Sequence, residues 1–150
     1  MADIKTKQER SKNMSAIKSK DTKPEIFLRR LLFSRGYRYS LHTSKIEGHP
    51  DIWMKKYNTA IFVNGCFWHR HSGCKYAYNP KSRQDFWNDK FAKNVERDRT
   101  VKEMLREKGI RCLIIWECTI NNVQKKNGDS DSLASAIISF LNSEKMFEEI

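Results

Sequence analysis

Ten consecutive residues, Gly65-Cys66-Phe67-Trp68-His69-Arg70-His71-Ser72-Gly73-Cys74, carry two thiols, two imidazoles and two large rings. Thiolate and imidazole are the ligands zinc prefers, and a structural zinc takes four of them in a tetrahedron. Cys66, His71 and Cys74 supply three, and Cys118 supplies a fourth if a loop after the preceding strand returns it to them. His69, two residues from His71, competes with it as a ligand. Residues 64–82 have few aliphatic side chains, so a metal staple would fix what packing cannot. Cys112 is left out because it stands in a continuously apolar run, where a thiol acts as a small core hydrophobe. Adjacent Phe67 and Trp68 cannot both enter one core from an extended chain, so part of this segment is expected to serve a partner.

A second chemical candidate is His49-Pro50-Asp51, which closes a turn containing Gly48 and leads straight into a strand. A carboxylate there can hold Mg²⁺ against a phosphate, although a lone Pro-Asp is ordinarily a plain turn. Glu25, in Thr22-Lys23-Pro24-Glu25, stands where a capping box puts its acid.

The elements that must position these groups follow from periodicity. Thr22 and Pro24 predict a helix start, and Ile26, Phe27, Leu28, Leu31 and Leu32 give it a core stripe ending before Gly36. Tyr37–Leu41, Ile52–Lys55 and Thr59–Val63 read as three strands, the last two joined by the hairpin Lys56-Tyr57-Asn58. Ser82-Arg83-Gln84-Asp85 opens a long polar helix to Lys108, with Phe91, Val95, Met104 and Leu105 as core contacts and Gly109 as its stop. Ile110–Trp116 reads as a buried central strand and Asp129–Asn142 as a final helix, with Leu133, Ile137, Phe140 and Leu141 inward. The order α-β-β-β-α-β-α predicts an α/β fold, a mixed central sheet flanked by helices. We expect a flexible basic arm over residues 1–21 and a single domain over 22–150.

Charge narrows the partner. Formal net charge is +11, and residues 1–111 carry 26 basic against 12 acidic side chains while 112–150 carry 3 against 6. That asymmetry favours a polyanion over a neutral small molecule, with solvated surface charge as the bland alternative. No apolar run approaches the ~20 residues of a membrane span, and the N-terminus lacks the apolar core of a signal peptide. The expected setting is intracellular and cytoplasmic, with no membrane partner, and there four cysteines are metal ligands or core thiols rather than disulfides.

In nucleases of the restriction-endonuclease fold, a Pro-Asp of this kind is followed on the next strand by an acidic-x-Lys motif, but that strand here reads Ile61-Phe62-Val63-Asn64. This departure resembles the very-short-patch-repair (Vsr) DNA mismatch endonucleases. So do Gly65-Cys66-Phe67-Trp68-His69, Asn94-Val95-Glu96-Arg97-Asp98, Arg10-Ser11-Lys12-Asn13-Met14, Asp21-Thr22, Pro50-Asp51, Phe86-Trp87 and Ile115-Trp116-Glu117-Cys118, a likeness over nearly the whole chain. The resemblance implies a restriction-endonuclease-like sheet with a zinc-stapled loop, and a Mg²⁺-dependent nick in duplex DNA 5′ of the thymine of a T·G mismatch left by deamination of 5-methylcytosine. That nick starts very short patch repair.

By the same resemblance Asp51 binds the catalytic Mg²⁺ with the backbone carbonyl of Val63, and Glu25 lies near the waters of that ion. His69 is the general acid or base, with zinc ligation or a phosphate hydrogen bond as the alternatives. Asn64 stands where family members have a histidine beside the metal-bound water; an amide can orient water but takes no proton at neutral pH. Phe67, Trp68 and Trp87 match rings inserted beside the mismatch from the major groove, and Met14 an apolar residue entering from the minor groove. Trp87 and Phe91 also have the spacing of an ordinary core pair. Lys90 would meet a base or phosphate and Asn94 a base edge. Lys5, Lys7, Arg10, Lys12, Lys18 and Lys20 on the arm would meet phosphates, the arm ordering on DNA. Mismatch-repair proteins and a cytosine-5 DNA methyltransferase are the implied functional partners, and a monomer the expected state. Two other readings compete: a non-catalytic zinc-stapled DNA-binding module, and a restriction-type endonuclease acting on matched DNA.

Overall fold

The computed structural model describes residues 21–125 and 129–150. All of the arm except Asp21, with Met14 and the arm's basic residues, lies outside them, as do Asn127 and Gly128 of the expected final loop. Helix α1 spans Lys23–Ser34; the Thr22 hydroxyl accepts the Glu25 N–H, and Leu28 and Leu32 are fully buried. The capping box is only half made. Glu25's carboxylate reaches past Thr22 to accept the backbone N–H of Asp21 at 2.9 Å.

Five strands form one sheet in the order β1-β2-β3-β4-β5: Ser40–Leu41, Ile52–Met54, Thr59–Asn64, Arg111–Trp116 and Phe147–Glu149. The first three pair antiparallel, while β3 with β4 and β4 with β5 run parallel. The mixed α/β architecture is as expected, but several boundaries differ. The Tyr37–Leu41 strand shrinks to two residues, with Tyr37 and Tyr39 packed against the core instead of paired. The hairpin turn begins one residue early, as a 3-10 turn over Lys55–Tyr57 closed by Asn58 in the left-handed region.

Helix α2 spans Gln84–Glu107, α3 Glu117–Lys125 and α4 Ser130–Leu141. The order is therefore α-β-β-β-α-β-α-α-β, with α3 and β5 added to the expected series. Of α3 only Ile120 is fully buried, and β5 is a three-residue strand bearing two glutamates, so neither carries a strong hydrophobic pattern. The two β4 faces divide the core. Leu113 and Ile115 pack with Leu28, Leu32, Ile120, Ile137 and Phe140 beneath α1, α3 and α4, whereas Cys112 packs with Leu105 and Ala60, joined by Val101 and Ile114, beneath α2. On α2, Phe91 and Leu105 are buried as expected, but Val95 and Met104 are exposed and Val101 takes their place. Arg111 gathers the C-terminal end of α4 by donating to the carbonyls of Phe140, Leu141, Ser143 and Lys145. Among the described residues, no helix is long and apolar enough to cross a membrane.

Candidate active site and metal centre

The turn before Asp51 requires glycine. Gly48 has φ +81°, and a Cβ there would stand 2.4 Å from Val101 Cγ1 of α2, so the turn lies hard against that helix. Strand β2 then pairs with β3 only from Ile52↔Ile61 to Met54↔Thr59, and β3 runs on to Val63 and Asn64. Into this unpaired stretch Asp51 turns its carboxylate, whose Oδ2 accepts the Val63 N–H at 2.7 Å. The carboxylate thus stands near the carboxyl end of the parallel pair β3 and β4, where open α/β sheets commonly bind ligands. Burial pushes its pKa up to about 6, the Val63 N–H opposing and the nearby Glu25 charge adding to the rise. A desolvated carboxylate beside a second acid favours a bound cation, because the cation removes both penalties. Glu25 itself is 4% exposed.

His69 Nδ1 lies 2.6 Å from Asp98 Oδ2. A carboxylate only accepts, so Nδ1 carries hydrogen and Nε2 is left as the working nitrogen. Asn64 is 7% exposed and lines, with His69, Asp98 and Arg97, a cavity of about 60 Å³.

One face of α2 organises the remainder. Trp87, Phe91, Asn94, Asp98, Val101 and Leu105 follow at three- and four-residue steps, so they share one stripe. Phe91 and Leu105 anchor it in the interior. Asn94 Nδ2 donates to the Trp68 carbonyl at 3.2 Å, and Lys90 Nζ stands 5.6 Å from the Trp68 ring centroid. Phe67 is the hub of the rings, with centroids 5.1 Å from Trp68 and Tyr78, 5.2 Å from Phe91 and 5.5 Å from Trp87. Phe67 and Trp68 share one cluster because the segment is coiled rather than extended: His69 N–H donates to Gly65 O and His71 N–H to Cys66 O. The alternation expected for a strand does not apply. Both rings are half-buried; the neighbouring Phe86 is the more exposed, at 46%.

The ligand atoms of Cys66, His71, Cys74 and Cys118 all lie within 4.8 Å of one another. Thiolates ~2.3 Å from a tetrahedral ion have edges of roughly 3.8 Å, so this donor set fits a metal. Cys118 reaches it from the first turn of α3, not from a loop, and its Sγ is 3.5 Å from His71 Nδ1. Trp116 stacks flat on the His71 ring at 4.1 Å and fixes its plane. Burial pushes the Cys66 thiol up to about 12, so a metal is what would draw its proton off. His69 is held by Asp98 instead and is not among the four.

The family model of "DNA mismatch endonuclease Vsr" matches residues 2–75. "Type II nicking enzyme V.NmeAIP" of Neisseria meningitidis is 43% identical over 122 residues, covering 81% of this chain and 86% of the relative. The chain belongs to the Vsr family. The "DNA mismatch endonuclease Vsr" of Escherichia coli K12 is 42% identical over 125 residues, covering 83% of this chain and 80% of its own. "Type II nicking enzyme V.XorIIP" of Xanthomonas oryzae is 38% identical over 123 residues, covering 82% and 90%. Vsr family membership makes the chain a DNA endonuclease by class.

Sequence reasoning passed over several residues of this region. Asp98 was legible in the α2 periodicity, since it continues the Trp87, Phe91, Asn94 stripe. Asp21 stood in the Asp21-Thr22 motif with no role read for it, and His42, which meets it beside Glu25, had no local signal. Arg70 donates to the carbonyls of Phe67, Ala77 and Tyr78 and to Asn79 Oδ1, while its guanidinium lies 3.9 Å over Phe91. It staples a loop that the sequence assigned to the metal alone.

Proposed function

We propose that this chain is a Mg²⁺-dependent mismatch endonuclease that nicks one strand of duplex DNA 5′ of the thymine in T·G mismatches arising from 5-methylcytosine deamination. The nick initiates very short patch repair. The observation that carries the reading is the Asp51 carboxylate held 2.7 Å from the Val63 N–H where β3 runs past its pairing with β2, desolvated and next to Glu25. Asp51, the Val63 carbonyl and Glu25 would hold Mg²⁺ and its waters. The ion supplies Lewis-acid stabilisation of the phosphate charge and a more acidic water.

His69 moves the proton. With Nδ1 committed to Asp98, its Nε2 exchanges a proton with the water or the leaving oxygen at neutral pH. Asn64 orients water through its amide and takes no proton. Phe67, Trp68 and Trp87 enter the stack from the major groove and Met14 from the minor groove, and a wobble pair unstacks at less cost than a Watson–Crick pair. Lys90 contacts a base or phosphate; Asn94 exchanges its Trp68 carbonyl for a base edge. The basic arm, residues 1–21, grips the backbone of the DNA, and residues 22–150 form one endonuclease domain with a restriction-endonuclease-like core. The Cys66, His71, Cys74 and Cys118 site holds structural zinc, since three thiols and an imidazole suit that ion above harder ones. The enzyme works inside the cell as a monomer, sharing its target with a cytosine-5 methyltransferase and with mismatch-repair proteins as helpers.

Nicking of a T·G duplex and its C·G control, each with Mg²⁺ and with EDTA, tests this. Cutting of the T·G duplex alone, with metal alone, is the expected result. Equal cutting of both makes the chain a restriction-type nuclease, and no cutting makes it a binding module.

A further inference from the structure

Strands β1 and β2 pair with Leu41 opposite Ile52, so the next position brings His42 opposite Asp51, and the His42 N–H donates to the Asp51 carbonyl at 3.3 Å. At φ 47° the chain then turns out of the strand. The imidazole Nε2 lies 3.2 Å from Asp21 Oδ1 and 3.8 Å from Glu25 Oε2. Asp21 in turn gives its backbone N–H to Glu25 Oε2 at 2.9 Å. These contacts form a closed circuit from the Asp51 backbone through the His42 ring and the Asp21 carboxylate to the Glu25 carboxylate, beside Asp51. The ligand atoms of Asp21, Glu25 and His42 lie within 4.8 Å of one another, and Arg29 Nη2, 2.7 Å from Asp21 and 4.0 Å from Glu25, brings positive charge to these acids.

We infer that His42 is a positioning residue of the metal centre, clamping Asp21 so that the buried Glu25 carboxylate of α1 is held in fixed relation to Asp51 of the sheet. The two acids come from separate places in the fold, α1 and the residue just before β2, and the residue just after β1 carries the group that joins them. Without the clamp, the partners of Asp21 among the described residues are Arg29 and Glu25, both on α1, and the link from helix to sheet is lost. The inference rests on the proposed metal-binding role of Asp51.

The test compares His42→Ala and His42→Gln with the unchanged protein by Mn²⁺ binding, read by electron paramagnetic resonance, and by the Mg²⁺ concentration that half-saturates nicking of a T·G duplex. His42→Ala should weaken both by about tenfold, as outer partners of metal ligands typically do, with KM for DNA little changed. His42→Gln, whose amide can still bond Asp21, should recover most of the loss. In a Glu25→Gln background, His42→Ala should have almost no further effect. Unchanged metal affinity in His42→Ala, whatever its melting temperature, overturns the inference, and so does an equal loss in the Glu25→Gln background. Failure of the metal reading shows separately, as an Asp51→Ala variant that binds Mn²⁺ like the parent.

Discussion

His69 Nδ1 and Asp98 Oδ2 are 2.6 Å apart although 29 positions separate them in sequence, one in the loop that carries Cys66, His71 and Cys74 and the other midway along α2. The carboxylate fixes the tautomer and orientation of the imidazole. Asp98→Asn keeps the shape but can donate to Nδ1, which turns the proton to Nε2. Single-turnover nicking should fall by about 100-fold or more while the affinity for mismatched duplex stays within a few-fold, the pattern of an interaction made in the transition state.

Asp51 sets a pH dependence of stability in the metal-free protein. Its native pKa, about 6, lies above the unfolded value, so its contribution is intact below pH ~4 and is lost as pH rises through 6. Asp51→Asn retains an acceptor for the Val63 N–H and should raise stability in EDTA at pH 7.5 by about 2 kcal/mol, about 5 °C in melting temperature. At pH 4 the two proteins should melt together. Thermal melts in EDTA across that range check the sign.

Asn64 lines the cavity that also receives His69 and Asp98, so a histidine at this position would stand beside the proton-transfer pair. Asn64→His should speed nicking at pH 7 by about 100-fold, the low end of a general acid or base contribution. A rate that does not rise would mean that His69 alone supplies the exchange.

Removing a thiol from the four-ligand site should unmake the loop. Cys74→Ser should lose one equivalent of zinc by elemental analysis and more than about 4 kcal/mol of stability, as loss of a structural metal does. Trypsin should then cut at Arg70, Lys75 or Lys81. Cys112→Ser, in the apolar interior under α2, should keep its zinc.

Trp87 meets Phe67, Trp68, Phe86 and Phe91 while remaining half-buried. Trp87→Ala should reduce the preference for T·G over C·G duplex by about tenfold in competition binding, since the wedge converts weak stacking into affinity. Binding that becomes weaker but no less selective would assign the ring to the protein's own packing.

The residue types and spacing in this chain determined the chemistry available: the thiols and imidazole that fit a metal, the Pro-Asp turn, the apolar runs that became α1, β3, β4 and α4, and the motifs that mark the Vsr family. Those signals are legible because each arises within a few neighbouring positions or one helical or strand period. Only the tertiary structure decided that Asp98 holds His69, that Cys118 comes in on α3, and that His42 and Asp21 connect the buried Glu25 to the backbone of Asp51. Each of those contacts joins elements far apart along the chain. Strand register, a β2–β3 pairing that stops short of Val63 and the placement of α2 over the sheet bring them together, and a sequence period carries no record of that juxtaposition.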